Sequence, residues 1–205
     1  MTQHTQPLRW VAPSSGAVDT DVAKPGSLSE ARTVVNFWRD AGPKAWFAKN
    51  ASFDAAFRAE FSDLHFAAAR RERDHWLSDP YACLSLILLL DQFPRNAFRG
   101  TSHMYATDSL ARCYARAAVN FKHVKHLEEV LRPFVFLPFM HSEDLTDQRY
   151  CVDLYRSYAP ANLEYAMQHC KIIERFGRFP HRNAELGRAT TPDEQQYLDG
   201  GGFSG

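Results

Sequence analysis

An apolar segment at residues 79–90 restricts the fold of this chain more than any other feature. From Tyr81 onward nearly every residue is apolar, so the segment has no polar face to turn towards water. Asp79 is a good N-cap, and Pro80 suits the first position of a helix. These caps and the length of the segment favour a helix, although residues 86–90 alone could form a buried strand. We therefore predict a central helix that is surrounded by other elements.

The rest of the chain has helical periodicity, and alternating strand patterns are absent. Residues 27–30 form a capping box, and apolar residues on one helix face come after it. A second capping box at residues 191–194 predicts a short terminal helix. Further helices are predicted at about 53–73, 107–120, 127–136, 142–157 and 161–176, the last ending on Gly177. The sequence predicts an all-α fold of about seven or eight helices, stacked as antiparallel pairs with short loops.

The length of 205 residues fits a single domain. We assign residues 27–199 to this domain, residues 1–26 to a flexible extension and residues 200–205 to a flexible tail. No segment is apolar and long enough for a signal peptide or a membrane span, so we expect a cytoplasmic protein. The four cysteines form no C-x-x-C pair and are expected to be buried free thiols: Cys83, Cys113, Cys151 and Cys170.

The chain carries 24 basic and 24 acidic residues, so its formal net charge is zero. This balance excludes a bulk polycation and argues against a nucleic-acid partner. The charges are nevertheless segregated. Residues 143–153 carry four acids and one arginine, whereas residues 175–188 carry four arginines and one glutamate. A local anion site therefore remains compatible with overall neutrality.

Two segments that come directly after predicted helices resemble each other, at residues 91–100 and 176–183. One contains Phe-Pro-Arg-Asn and the other Phe-Pro-His-Arg-Asn. Proline should stop each helix, and phenylalanine should anchor each loop so that the arginines point from a fixed base. Arginine binds carboxylate or phosphate through two parallel hydrogen bonds, but it also serves as a structural clamp on acids, rings and helix ends. The candidate ligand-binding residues are Asp91, Arg95, Asn96, Arg99, His169, Arg178, Arg182 and Asn183.

A third segment, at residues 136–145, places His141 before a predicted helix. His141 could act as a base with Glu143 as its orienting carboxylate, and His181 is a second candidate acid or base. Capping alone also explains Ser142 and Glu143. His141, Glu143, His169 and His181 are residue types that bind transition metals, but their spacing matches no metal motif, so we predict neither a metal nor a cofactor.

Three strings resemble the signature segments of a bacterial family known as domain of unknown function 924: LLLDQFPRNAFRG, FLPFMHSEDLTDQ and FGRFPHRNAELGRATTPDEQQYL. The resemblance covers about residues 27–198. It implies a tetratricopeptide-like helical fold, but no activity, substrate or cofactor. The residues at typical motif positions are Asp91, Gln92, Pro94, Arg95, Asn96, His141, Ser142, Glu143, Gln148, His169, Phe176, Gly177, Arg178, Pro180, His181, Arg182, Asn183, Gly187 and Arg188.

The sequence supports two hypotheses for the function. The first is a binding module whose Arg/His-lined pocket holds an anionic small molecule or the acidic end of a peptide. The second is a hydrolase or transferase of a phosphorylated or carboxylated metabolite. Both predict that Arg95, His141, His181 and Arg182 meet in one pocket. The 15 phenylalanines could also leave an apolar face for a homodimer.

Overall fold

The computed structural model describes residues 26–204, which form helices and no strand. The predicted all-α class is confirmed. A π-helical turn at Leu88–Gln92 joins the helix Pro80–Ile87 to the helix Phe93–Ala97, so these two segments form one continuous helix. The α-helices are α1 (Leu28–Ala41), α2 (Pro43–Trp46), α3 (Ala51–Ala69), α4 (Pro80–Ile87), α5 (Phe93–Ala97), α6 (Asp108–Asn120), α7 (Arg132–Met140), α8 (Leu145–Tyr158), α9 (Leu163–Phe176) and α10 (Pro192–Asp199).

Helix α4 is the centre of the molecule, as its apolar sequence predicts. It packs against α1, α6 and α7, and residues 82–90 are fully buried. Helix α6 packs on α7, α7 packs on α8, and α8 packs on α9. Helix α3 packs on α5. Successive helices with short connections therefore form a stacked array. The tetratricopeptide-like assignment stays a prediction.

Local capping signals lie where the sequence places them, except that Glu30 accepts from the Gly26 N–H and not from the Ser27 N–H, so residues 27–30 form only half of a capping box. The Asp79 side chain accepts hydrogen bonds from the backbone N–H groups of Tyr81 and Ala82, and Thr191 and Glu194 form a reciprocal capping box. Gly177 ends α9 with φ +67°, a left-handed conformation that favours glycine. These predictions are confirmed.

Pro94 does not stop its helix, contrary to the prediction. The helix continues through Pro94 to Ala97 and ends at Phe98. The preceding π-helical turn begins a new α segment in which Pro94 occupies an early position, where a missing N–H costs little. Residues 91–97 are therefore helical, and the predicted loop at 91–100 is confined to its last residues.

The helix predicted to begin at Ser142 begins instead at Leu145, with Asp144 as its N-cap. The Asp144 carboxylate accepts hydrogen bonds from the N–H groups of Thr146 and Asp147. His141 lies at the end of α7, where its backbone N–H donates a hydrogen bond to the carbonyl of Leu137. Because Asp144 already caps α8, the first N–H groups of that helix are not free to bind an anion.

The assignments of the two termini stay predictions, whereas the structure describes all four cysteines. The predicted extension at 1–26, apart from Gly26, lies outside the described residues. Within the tail assigned to 200–205, Phe203 packs on His169 and His181.

Cys113 is exposed, so its predicted burial is wrong, whereas the other three cysteines are buried and all four are free. In residues 26–204 no helix is long and apolar enough to span a membrane.

Candidate functional site

A buried histidine–aspartate pair forms the centre of the candidate site. His141 Nδ1 lies 2.7 Å from Asp91 Oδ1, and the Asp91 side chain is fully buried. Burial would raise the pKa of Asp91, but Arg95 and His141 outweigh it and lower that pKa. Burial and Arg95 lower the pKa of His141 despite the opposing effect of Asp91. At neutral pH the pair is therefore a carboxylate that accepts the Nδ1 proton of a neutral imidazole.

Side chains hold the backbone around His141 by donating hydrogen bonds to three successive carbonyl groups. Gln148 Nε2 donates to the carbonyls of Met140 and Ser142, at 2.6 Å each. Arg182 Nη1 donates to the carbonyl of His141 itself, at 3.0 Å. Gln148 is fully buried. These bonds fix the short turn between α7 and α8, so the imidazole is presented from a constrained base.

Arg95 neutralises the buried carboxylates beside this pair. Its Nη1 and Nη2 atoms donate to Asp108 at 2.8 and 2.9 Å, and Nη1 lies 3.4 Å from Asp91. Burial would lower the pKa of Arg95, but Asp91 and Asp108 raise it. The two Nη atoms of Arg95 are therefore engaged by internal partners, which gives Arg95 a structural role in this arrangement.

Arg182 is different because one of its hydrogen-bonding edges is free. The residue is only 6% exposed, yet its Nε atom is buried without a partner and Nη2 has none among residues 26–204. Its Nη1 serves the His141 carbonyl and lies 3.7 Å from Asp108. The guanidinium also packs over the rings of Tyr105 and Phe179. Burial and Arg95 lower the pKa of Arg182 to about 10, so it stays charged at neutral pH.

Two further histidines lie beside Arg182. His169 Nδ1 donates to the Tyr165 carbonyl at 2.8 Å, whereas His181 Nδ1 is buried without a partner. Burial is the main cause that lowers the pKa of His169 to about 4 and that of His181 to about 3, and Arg182 adds to both effects. Both imidazoles are therefore neutral at neutral pH. The Phe203 ring packs on each of them, with centroids 4.6 Å from His169 and 5.1 Å from His181.

Glu143 contacts Arg188 and not His141. Arg188 donates two hydrogen bonds to the Glu143 carboxylate, at 2.7 and 3.0 Å, and the Phe179 N–H donates a third. The carboxylate that orients His141 belongs to Asp91. Glu143 thus holds the segment after α9 against the turn before α8, which positions Phe179 and the neighbouring Arg182.

The remaining candidate residues bind acidic partners within the chain. Arg178 forms a two-bonded ion pair with the buried Glu194, and Asn183 donates to the same carboxylate. Arg99 pairs with Asp54, to which Asn96 also donates. These contacts match the alternative of a structural clamp for Arg178 and Arg99. The segregated charges therefore neutralise one another in part, and Arg182 keeps its free edge.

Sequence reasoning missed several residues that build this site. Tyr105, Asp108 and Gln148 contribute contacts, and a Glu185 carboxylate oxygen is buried without a partner. The resemblance pointed to Gln148 alone, and no spacing links any of them to His141. Among residues 26–204, no group of three or more potential ligands is arranged to hold a metal ion.

The structure brings Arg95, His141, His181 and Arg182 into one packed cluster. Two clefts within residues 26–204 lie elsewhere, along α6 at Ser109–Asn120 and beside α1 at Arg39. The His141 side chain is 15% exposed, so the cluster reaches the surface. The Nε atom of Arg182 is buried, so a ligand would have to displace neighbouring side chains to reach the free edge of Arg182.

Fold and site together define an all-α protein with a buried His–Asp pair beside an arginine that has one unused edge. Residues 34–202 match the family model described as bacterial protein of unknown function, domain of unknown function 924, and the chain belongs to this family. A solved protein of unknown function from Agrobacterium tumefaciens is 52% identical and superposes with a TM-score of 0.82. The match covers 84% of this chain and 98% of that one. No curated protein matches the sequence.

Proposed function

We propose that this protein is an enzyme, a hydrolase or transferase, in which His141 acts as general base on a small-molecule substrate that carries an acidic group. The observation that carries the proposal is the contact of His141 Nδ1 with Asp91, which leaves Nε2 without a partner in the described residues. An imidazole held in this tautomer by a carboxylate is the usual arrangement of a histidine base. Convergence of histidine with a carboxylate also separates the enzyme hypothesis from a simple anion groove.

In the proposed step, His141 accepts one proton and then gives it to the leaving group. His141 Nε2 takes a proton from water or an alcohol, whose oxygen forms a bond to the carbonyl carbon or phosphorus of the substrate. The bond to the leaving group breaks, and the leaving group takes the proton from Nε2, so the imidazole is neutral again. Asp91 stabilises the imidazolium between these events because it remains ionised.

Arg182 would hold the acidic group of the substrate. Its free Nε and Nη2 edge provides two parallel N–H donors, which suit the oxygens of a carboxylate or a phosphate. Because Arg182 also donates to the His141 carbonyl, substrate and base would be positioned by the same side chain.

The test compares hydrolysis of mono-p-nitrophenyl succinate, an ester with a free carboxylate, and of p-nitrophenyl phosphate by the full chain and by His141→Gln. His126→Gln is the matched control because His126 is exposed and lies outside the cluster. We expect His141→Gln to reduce hydrolysis about 100-fold or more, the usual contribution of a general base. Equal rates in the two variants and the wild type would refute the enzyme proposal.

A second candidate is a binding module for an anionic small molecule or an acidic peptide end. The free edge of Arg182 supports it, since binding an acid there needs no chemistry at His141. This function predicts that acetate or phosphate raises the melting temperature of His141→Gln as much as that of the wild type. Hydrolysis would then be absent from both proteins.

A further inference from the structure

We infer that the acidic group bound at Arg182 is a carboxylate with a single negative charge, and not a phosphate dianion. The inference rests on the proposed function and names the substrate class of the same site. Its first support is the shape of the free donor edge. Nε and Nη2 point in one plane, and the guanidinium packs over the Tyr105 and Phe179 rings. A planar two-oxygen group matches that edge directly.

The second support is the charge balance of the cluster. Two arginines and two aspartates are close together, so their formal charges cancel. Both carboxylates share the Nη atoms of Arg95, whereas the Nε atom of Arg182 is buried without a partner. A monoanion on Arg182 would leave one excess negative charge, whereas a dianion would leave two in a largely buried setting. The second excess charge has no partner, which makes a buried dianion costly.

The histidines do not supply the missing positive charge. His141, His169 and His181 are all neutral at neutral pH because burial and the neighbouring arginines disfavour their charged forms. A phosphate dianion would therefore have to bind with one guanidinium alone. Proteins usually surround such a group with several cationic or N–H donors.

Glu185 adds a negative group near Tyr105, whose ring packs against the Arg182 guanidinium. One of its carboxylate oxygens is buried without a hydrogen-bond partner, and it lies close enough to Tyr105 to influence the pKa of that phenol. A carboxylate in this neighbourhood repels a dianion more than a monoanion.

The experiment measures binding of benzoate and phenyl phosphate to the full chain by calorimetry at pH 8 and equal ionic strength. Phenyl phosphate is a dianion at this pH because its second pKa is near 6, like that of other phosphate esters. We expect benzoate to bind about tenfold more tightly or better, which corresponds to about 1.4 kcal/mol. Equal or tighter binding of phenyl phosphate would overturn the inference.

Variants test whether Arg182 is the binding residue. Arg182→Lys keeps the charge but loses the two-donor edge, so benzoate binding should weaken about tenfold. Arg149→Lys is the control, because Arg149 is exposed and lies outside the cluster. If Arg182→Lys does not fold, the nitrogen-15 signal of Arg182 Nε in the wild type must shift when benzoate is added. Benzoate binding that leaves this signal unchanged, or that is as tight in Arg182→Lys as in the wild type, would contradict the inference.

The outcomes separate this inference from the proposed function. If phenyl phosphate binds more tightly and Arg182→Lys abolishes its binding, the carboxylate preference is wrong but an acid-binding site at Arg182 stands. If neither compound binds while hydrolysis still depends on His141, the base survives and the Arg182 subsite does not. If benzoate binds but hydrolysis does not depend on His141, the carboxylate site is supported and the proposal of an enzyme is refuted.

Discussion

Arg182 donates a hydrogen bond to the backbone carbonyl of His141, 41 positions earlier in the chain. The segment after α9 thus holds the turn after α7 through an arginine whose other edge is unused. Any ligand that engages this edge acts on a side chain that already supports the candidate base. Binding and base position are physically linked for that reason.

Replacing Asp91 by asparagine should destabilise the protein strongly. The change removes a buried charge that pairs with His141 and Arg95, so we expect a loss of about 3–5 kcal/mol in the free energy of unfolding. Urea denaturation followed by circular dichroism measures it. The control is Asp153→Asn, whose exposed pair with Arg156 should be worth at most about 0.5 kcal/mol. Equal losses in the two variants would show that the buried pair contributes no more to the free energy of unfolding than the exposed pair.

Stability should fall as the pH is lowered from 7 to 5. His169 and His181 have folded-state pKa values of about 4 and about 3, below their unfolded value near 6.5. The unfolded chain therefore binds protons in this range while the folded chain does not, which costs up to about 1.4 kcal/mol per pH unit for each histidine. Urea denaturation at several pH values measures the slope.

The variant His169→Gln should have a shallower slope between pH 7 and 5, since one of the titrating groups is gone. His126→Gln serves as control because the exposed His126 has no such burial. An unchanged slope in His169→Gln would show that burial does not hold His169 neutral.

Removing the Phe203 ring should expose the histidines that it contacts. In Phe203→Ala we expect the pKa values of His169 and His181 to rise towards 6.5, because burial is the main cause of their depression. Nuclear magnetic resonance titration of the imidazole signals measures this. Phe47→Ala is the control, as Phe47 is 70% exposed and does not contact either histidine. Unaltered titration in Phe203→Ala would mean that other groups provide the burial.

Replacing Gln148 by leucine should leave two buried carbonyls without their donor. Met140 and Ser142 lose one hydrogen bond each, so we expect a loss of about 1–3 kcal/mol in the free energy of unfolding. Urea denaturation measures the loss. Gln195→Leu is the control, since Gln195 is exposed and bonds only to Asp199. A loss no greater than that of Gln195→Leu would show that the turn around His141 is held by other contacts.

Features of the fold that depend on nearby residues could be predicted from the sequence. The caps at Asp79 and Thr191 and the glycine at 177 act within one helical turn, so their residue types suffice. The burial of α4 is predictable in the same way from a surface that is apolar all round. The predicted helix boundaries near Ser142 and Pro94 were wrong because Asp144 caps α8 in place of Ser142 and because the π-helical turn lets the helix continue through Pro94.

The site was less predictable because its contacts are distant in sequence. His141 was selected as a histidine that capping does not explain, and the carboxylate that it contacts lies 50 positions away at Asp91. Glu143 was the nearer choice, and proximity along the chain favoured it. Only the packing of α4, α7 and the segment after α9 brings Asp91, His141 and Arg182 together, and no spacing rule encodes that packing.

The π-helical turn at Leu88–Gln92 has a consequence for how this chain can tolerate deletions. Its carbonyls at Leu89 and Leu90 accept hydrogen bonds from the side chains of His65 and Thr107, which belong to other parts of the fold. A π turn holds one residue more than an α turn, so losing one residue there restores α geometry and leaves the faces of α4 and α5 aligned. A one-residue deletion at 88–92 should therefore be tolerated better than the same deletion from the middle of α6, where every residue beyond the gap would rotate by about 100°.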